Sequence, residues 1–220
     1  MTSARTVPPA GDLALEVRDV HLTDPLVEPL LAGLSAEYRS RYHDLLTEEQ
    51  HRAEMAHYTA AEFAPPSGSL VLLLADGEPV AGGAFRRRLE PELGEAARLA
   101  RPGTRAADGV PAVPTAELKR IWTHAAHRRR GLARRVLAEL EVRARDLGYP
   151  RLYLTTGPRQ PEAAALYRTA GYTPLTAAAA GNRTAPATAP GALAAPSATA
   201  VPVPDAVPFG PLPFEKWLVP

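Results

Sequence analysis

Arg128-Arg129-Arg130-Gly131-Leu132-Ala133 stands between a strand-like run, Glu117 to Thr123, and an amphipathic helix running from about Gly131 to Leu147. A turn placed there aims unpaired backbone N–H groups, backed by the positive end of the helix dipole, at one point in space. Such a row binds a phosphate or pyrophosphate without any special side chain. Gly131 and Ala133 are small, so a ligand can approach the backbone closely. The arginines add charge that does not titrate away near neutral pH. The spacing excludes two other cradles: a P-loop needs Lys-Ser or Lys-Thr after its glycines, and a dinucleotide turn needs G-x-G-x-x-G.

The elements that hold this turn can be read around it. Helix 131–147 carries Leu132, Val136, Leu137, Leu140, Ala144 and Leu147 at helical spacing. Glu139–Arg143 and Glu141–Arg145 are i,i+4 pairs on its wet side, and Gly148 stops it. A short strand, Arg151 to Thr155, follows. Pro161 then opens a helix through Ala170, ended by Gly171. Upstream, Leu13–Val20 alternates as a first strand. Asp24-Pro25 opens a helix through about Tyr42 with Leu26, Leu30, Leu31 and Leu34 inward, and a second helical stretch runs from about Thr47 to Phe63, before Pro65-Pro66. Leu70–Leu74 and Pro79–Phe85 form a β-hairpin about a Gly-containing turn, and Leu212–Leu218 is the final strand. Residues 1–12 read as a disordered tail. Residues 13–220 read as one domain with flexible insertions at about 89–114 and 176–208, where Ala, Pro and Gly leave little to bury.

R-x-x-G-x-A at Arg128–Ala133 and A-x-x-L-Y-x-x-x-G-Y at Ala163–Tyr172 resemble the two landmarks of the GNAT superfamily of acyl-CoA N-acyltransferases. The order of elements is similar to that family as well. The resemblance implies an α/β (α+β) fold: a mixed central sheet of about six to seven strands flanked by helices, with splayed parallel strands holding acyl-CoA. It implies that main-chain groups of Ile121, Trp122 and Thr123 serve the pantetheine arm, with the N–H of Ile121 or Trp122 as oxyanion donor. Arg128, Arg129, Arg130, Gly131, Leu132 and Ala133 would hold the pyrophosphate. Gln160 stands where many members carry Asn, so an amide is kept for cofactor contact.

Acyl transfer to an amine needs a proton acceptor for the amine, donors for the oxyanion and a proton for the departing thiolate. Tyr167 matches the family tyrosine beside the thioester sulfur. A phenol at pKa ~10 is close enough to a thiol at ~8.5 to deliver that proton. Glu117 occupies the position where many members place a general base, and period-two alternation puts it on one face with Lys119 and Ile121. His124 is the rival base. The resemblance thus implies an acetyl-CoA-dependent N-acetyltransferase, acting by direct transfer in a ternary complex on a primary amine of a small molecule or peptide. The alternative is a catalytically silent acyl-CoA-binding sensor or regulatory module; retention of Glu117 and Tyr167 favours the enzyme.

Tyr38, Arg41, Tyr42, Arg86 and Arg88 are candidates for the acceptor wall, and an arginine pair would suit a carboxylate-bearing amine. A formal net charge of +1 recommends neither nucleic acid nor an acidic membrane as partner. No apolar run reaches membrane length, and no signal-peptide pattern opens the chain. Absence of cysteine excludes disulfides, thiolate nucleophiles and Cys-based metal sites. His124 and His127 sit at i,i+3 in a turn without an acidic partner, so no metal is expected. Arg-, Ala- and Pro-rich usage with only two lysines points to a GC-rich bacterial genome and a cytoplasmic protein, and leaves a homodimer open.

Overall fold

The computed structural model describes residues 14–45, 47–91, 93, 111–175 and 210–218. The expected N-terminal tail, residues 94–110 of the first insertion and all of the second lie outside the described residues. The chain forms a seven-stranded mixed sheet in the order β1-β2-β3-β4-β5-β7-β6, flanked by helices on both faces. The strands are β1 Leu15–Asp19, β2 Ser69–Ala75, β3 Glu78–Arg87, β4 Thr115–Thr123, β5 Arg151–Thr156, β6 Thr173–Pro174 and β7 Leu212–Trp217. The helices are α1 Glu28–Tyr42, α2 Glu48–Ala56, α3 Leu132–Asp146 and α4 Pro161–Thr169.

Local chemistry explains most boundaries. The Asp24 carboxylate accepts from the Leu26 N–H at 2.9 Å and starts a 3-10 turn, Pro25–Val27, that runs into α1. The long helical stretch expected up to Phe63 is broken instead. Thr59 and Glu62 form a capping box, which starts a separate 3-10 turn, Ala60–Phe63, after α2 has ended at Ala56. Asp76 and Gly77 both take positive φ (52° and 81°), as a two-residue turn between right-twisted strands requires.

Every residue of β2 is buried, so the sheet has a core on each side. Val71 and Leu73 face Val136, Leu137 and Leu140 of α3. Leu70, Leu72 and Leu74 face Val27, Leu30 and Phe63. Of the four leucines expected inward on the first helix, Leu30 is fully buried, whereas Leu26, Leu31 and Leu34 are half-buried at the edge of the second core. No helix among the described residues is long and apolar enough to cross a membrane.

Two departures from regular pairing position the site. β4 and β5 are parallel, but they pair only over Thr115–Glu117 with Arg151–Tyr153, although β4 continues to Thr123 and β5 to Thr156. Beyond Glu117 the strands part. On its other edge, β4 bulges against β3: Lys119 pairs with Ala84 and Trp122 with Gly82, leaving two residues opposite Gly83. Arg120 sits there at φ 58°. Gly83 makes room for the bulge, since a Cβ there would lie 2.6 Å from Ile121 Cδ1 and 2.9 Å from Val136 Cγ1.

Candidate active site

The bulge corrects one expectation. Glu117 and Lys119 share a face of β4, but Ile121 does not join them: it packs with Leu118 and Ala116 against α3. The extra residue reverses the alternation, so Trp122 instead joins the face of Glu117 and Lys119, in the core beneath α1.

A cavity of about 530 Å³ opens where β4 and β5 part. Its walls include Ile121, Trp122 and Thr123 of β4, Arg128, Arg129, Gly131, Leu132 and Ala133 of the following turn, and Gln160 and Tyr167 at α4. Tyr38 of α1 lines it too. The structure thus brings together, on one cavity, most of the residues singled out from the two motifs.

The turn has the geometry of an anion cradle. Arg129 and Gly131 take φ 60° and 76°, and Gly131 caps α3. The first α3 bond runs from the Arg135 N–H to the Gly131 carbonyl at 3.1 Å, so the N–H groups of Leu132, Ala133 and Arg134 have no intrahelical acceptor. A Cβ built on Gly131 meets nothing within 4 Å, so the space in front of it is open to a ligand. The Thr123 hydroxyl, on the same wall, is buried without a hydrogen-bond partner among the described residues.

Gln160 precedes α4, and its side-chain oxygen accepts from the Thr156 hydroxyl at 3.0 Å and the Gly157 N–H at 3.1 Å. The amide is therefore fixed by the end of β5. Its NH2 group is the end left to serve the cavity. The α1–α4 rim is tied by Arg41, which binds Glu37 at 2.8 Å, Glu162 and the Arg159 carbonyl, and by Arg159, which binds Asp44. Arg128 reaches across to Glu37 at 2.9 Å.

Tyr167 is 7% exposed, packs against Tyr172 and Phe214, and presents itself to the cavity. Burial alone pushes its phenol above the ordinary tyrosine range. The group remains a proton donor throughout neutral and mildly alkaline pH. The linkage has a definite sign: above the unfolded value of ~10 the unfolded chain loses a proton that the folded chain keeps, so this contribution to stability is lost as pH rises from there. In an ultraviolet tyrosinate titration, Tyr167→Phe should leave the absorbance change near pH ~10 unaltered and remove amplitude only at higher pH. Loss of amplitude near the ordinary value would show the phenol to be solvated.

Five candidates fall elsewhere. Glu117 is 1% exposed and does not line the cavity. Its carboxylate binds Arg86 at 2.8 Å, Arg88 at 2.7 Å and Lys119 at 3.0 Å. Arg86 is buried in the same cluster, with Glu90 and Glu62 as further partners, rather than facing an acceptor. Tyr42 is buried behind Tyr38, where its hydroxyl accepts from the Arg159 N–H. The Arg130 side chain turns toward His127 and away from the cavity wall. The rival base His124 is exposed outside this cavity, its ring nitrogen accepting from the Ala126 N–H.

Lys119, Tyr58, Met55 and Leu34 also line the cavity, and sequence reasoning did not pick them out as site residues. Only Lys119 carried a signal, through its shared face with Glu117. Among the described residues no group of three or more His, Asp or Glu is placed to hold a metal ion.

The model of the acetyltransferase (GNAT) family matches residues 31–172, which is more than half of the chain. No curated protein sequence matches it. Among solved structures, the fold is shared with a candidate acyl-CoA N-acyltransferase from Klebsiella pneumoniae, at 22% identity and TM-score 0.52, over 94% of this chain and 99% of that one. It is shared with a GNAT-family acetyltransferase from Staphylococcus aureus, at 10% identity and TM-score 0.54, over 93% and 100%. A third is the PaiA N-acetyltransferase from Thermoplasma acidophilum, at 11% identity and TM-score 0.54, over 94% and 100%. With its parted parallel strands, its positive-φ turn before α3 and its tyrosine on α4, the chain belongs to the GNAT acetyltransferase family.

Proposed function

We propose that this protein transfers an acetyl group from coenzyme A to a primary amine of a small molecule or peptide, directly and within a ternary complex. The observation that carries the reading is the convergence on one cavity of the open-faced Gly131 turn, the parted edge of β4 and the Tyr167 phenol. The PaiA structure, which shares the fold, was solved with coenzyme A. The residues present fit that ligand. Unpaired N–H groups at the start of α3 suit a pyrophosphate, and the unpartnered Thr123 hydroxyl and the β4 edge suit an amide-bearing arm.

Coenzyme A would supply the activated thioester. The chain's own groups do the rest. A main-chain N–H, that of Ile121 or Trp122 beside the bulge, stabilises negative charge on the carbonyl oxygen. Tyr167 holds a proton for the leaving sulfur. Glu117 is not assigned the base, because both its oxygens bind cations and its carboxylate does not line the cavity. The amine enters as free base or gives its proton to water, so turnover rises with pH as the free-amine fraction grows. Chain chemistry is consistent with direct transfer, since there is no cysteine to carry an acyl intermediate.

The test pairs binding with turnover. Coenzyme A at 100-fold over Kd should stabilise the wild type by about 2.7 kcal/mol, read as a rise in melting temperature. Gly131→Val should lower the melting temperature of the free protein, because a branched residue at φ 76° is strained. It should also shrink the coenzyme A shift, because its side chain occupies the open space in front of the cradle. An undiminished shift would remove the cradle from this turn. Thiol release from acetyl-CoA in the presence of an amine panel then separates transferase from silent sensor: tight binding without release from any amine favours the sensor.

A further inference from the structure

The sheet alone holds the peptide units of Arg120, Ile121 and Trp122 loosely. A central strand is normally fixed by a hydrogen-bonded ladder on each edge. β4 loses one ladder beyond Glu117, where β5 parts from it. Its other ladder, with β3, is interrupted between Lys119 and Trp122, so Arg120 and Ile121 have no regular partner there. The main-chain N–H that stabilises the carbonyl oxygen in the reading above belongs to this stretch. Its direction is therefore left to the side chains of Ile121 and Trp122 and to what seats them.

Each of these side chains sits in a notch made by a glycine, on opposite faces of the sheet. Ile121 lies on the α3 face, against Gly83. A Cβ on Gly83 would lie 2.6 Å from Ile121 Cδ1, 2.9 Å from Val136 Cγ1 and 3.1 Å from Leu140 Cδ1. Trp122 lies on the α1 face, against Gly33. A Cβ on Gly33 would lie 2.2 Å from Trp122 Nε1 and 3.1 Å from both Cδ1 and Cε2. Neither side chain has space to swing aside. Trp122 is 4% exposed and shares its core with Val27 and Leu30, while Val136 and Leu140, which back the Gly83 notch, are fully buried. Gly33 stands inside α1, where alanine would favour the helix and glycine weakens it. The notch accounts for it: without a side chain there, α1 comes close enough to β4 for the indole to lie against it.

Resting on the acyl-transfer reading above, we infer that Gly33 and Gly83 are positioning residues for that reaction. They seat Trp122 and Ile121 on opposite faces of β4 and so aim the main-chain N–H of the bulge at the acyl oxygen. Neither glycine lines the cavity, so each acts through the side chain it seats. The geometry they protect is exacting, because a misplacement of ~1 Å can cost about 10²-fold in rate.

Gly33→Ala should lower kcat in the thiol-release assay by about 10-fold or more, since a displaced donor stabilises the transition state less. The rise in melting temperature on adding coenzyme A should be kept, because the Gly131 turn is untouched. Trp122 and Trp217 are the two tryptophans of the chain, so a Trp217→Phe background isolates the emission of Trp122, which should change as the indole leaves its seat. Trp122→Leu deletes Nε1 and Cε2, which the new methyl group would strike. Adding Gly33→Ala to Trp122→Leu should therefore lower kcat far less than adding it to the wild type. If Gly33→Ala fails to fold, Gly83→Ala takes its place, with Ile121→Val as the partner that deletes Cδ1. Wild-type kcat in the folded glycine variant overturns the inference and leaves acyl transfer standing. So does a fall in kcat that leaves Trp122 emission unchanged, or one just as large beside Trp122→Leu. No thiol release by the wild type with any amine overturns the acyl-transfer reading and the inference with it.

Discussion

Tyr167→Phe should lower kcat by about 10²-fold, the low end of what a positioned acid contributes, because water can partly replace the donor. Coenzyme A should bind as before, since the change deletes one oxygen and leaves the ring against Tyr172 and Phe214. Stability should not fall, because the phenol gains nothing from a fixed partner: burial alone accounts for its raised pKa. Substrate competition separates the two roles the residue could have. A donor acts only as the thiolate leaves, so kcat and kcat/KM should drop together while KM for the amine stays put. The defect should shrink with acyl thioesters whose thiol is more acidic, since a better leaving group needs less help. Wild-type turnover in the phenylalanine variant would leave Tyr167 as a core residue that happens to border the cavity.

How far the sequence alone reaches is shown by the two strands that make the cleft. The Arg128–Ala133 turn was legible because its chemistry is local: a small residue at positive φ, an amphipathic helix behind it and guanidinium groups around it. The sheet and the Tyr167 helix were legible for the same reason, since turn and cap residues bound each element. The face of Ile121 was not. Alternation predicts it beside Glu117, but a bulge depends on what lies across the ladder, here Gly83 and the α3 residues above it. Glu117 and Arg86 illustrate the same limit. A glutamate on a motif strand and an arginine on its neighbour could each have faced the substrate; register Arg86↔Glu117 pairs them with each other instead. The break after α2 was also written locally, in Thr59 and Glu62, but a two-residue signal is easily passed over inside a helical pattern.

Glu117→Gln should cost the protein about 3–5 kcal/mol, the usual consequence of removing one partner from a buried ion pair. The carboxylate is 2% exposed and serves Arg86 and Arg88, whose side chains are 4% and 8% exposed. Glutamine keeps the size and one acceptor but leaves three cations without their common anion. The arginines cannot shed charge, so the cluster must open to water or distort β3 and β4. A catalytic base would behave otherwise: the variant would be stable, slow at neutral pH and rescued at high pH, where free amine is plentiful. Calorimetry and a pH–rate profile on one variant therefore decide between them. A large fall in melting temperature with no alkaline rescue assigns Glu117 to the cluster, and a stable variant rescued by alkali returns it to the reaction. Arg88→Met with Glu117→Gln supplies the cross-check. Taking one cation away with the anion should recover part of the loss, because the double variant leaves fewer uncompensated charges than Glu117→Gln alone.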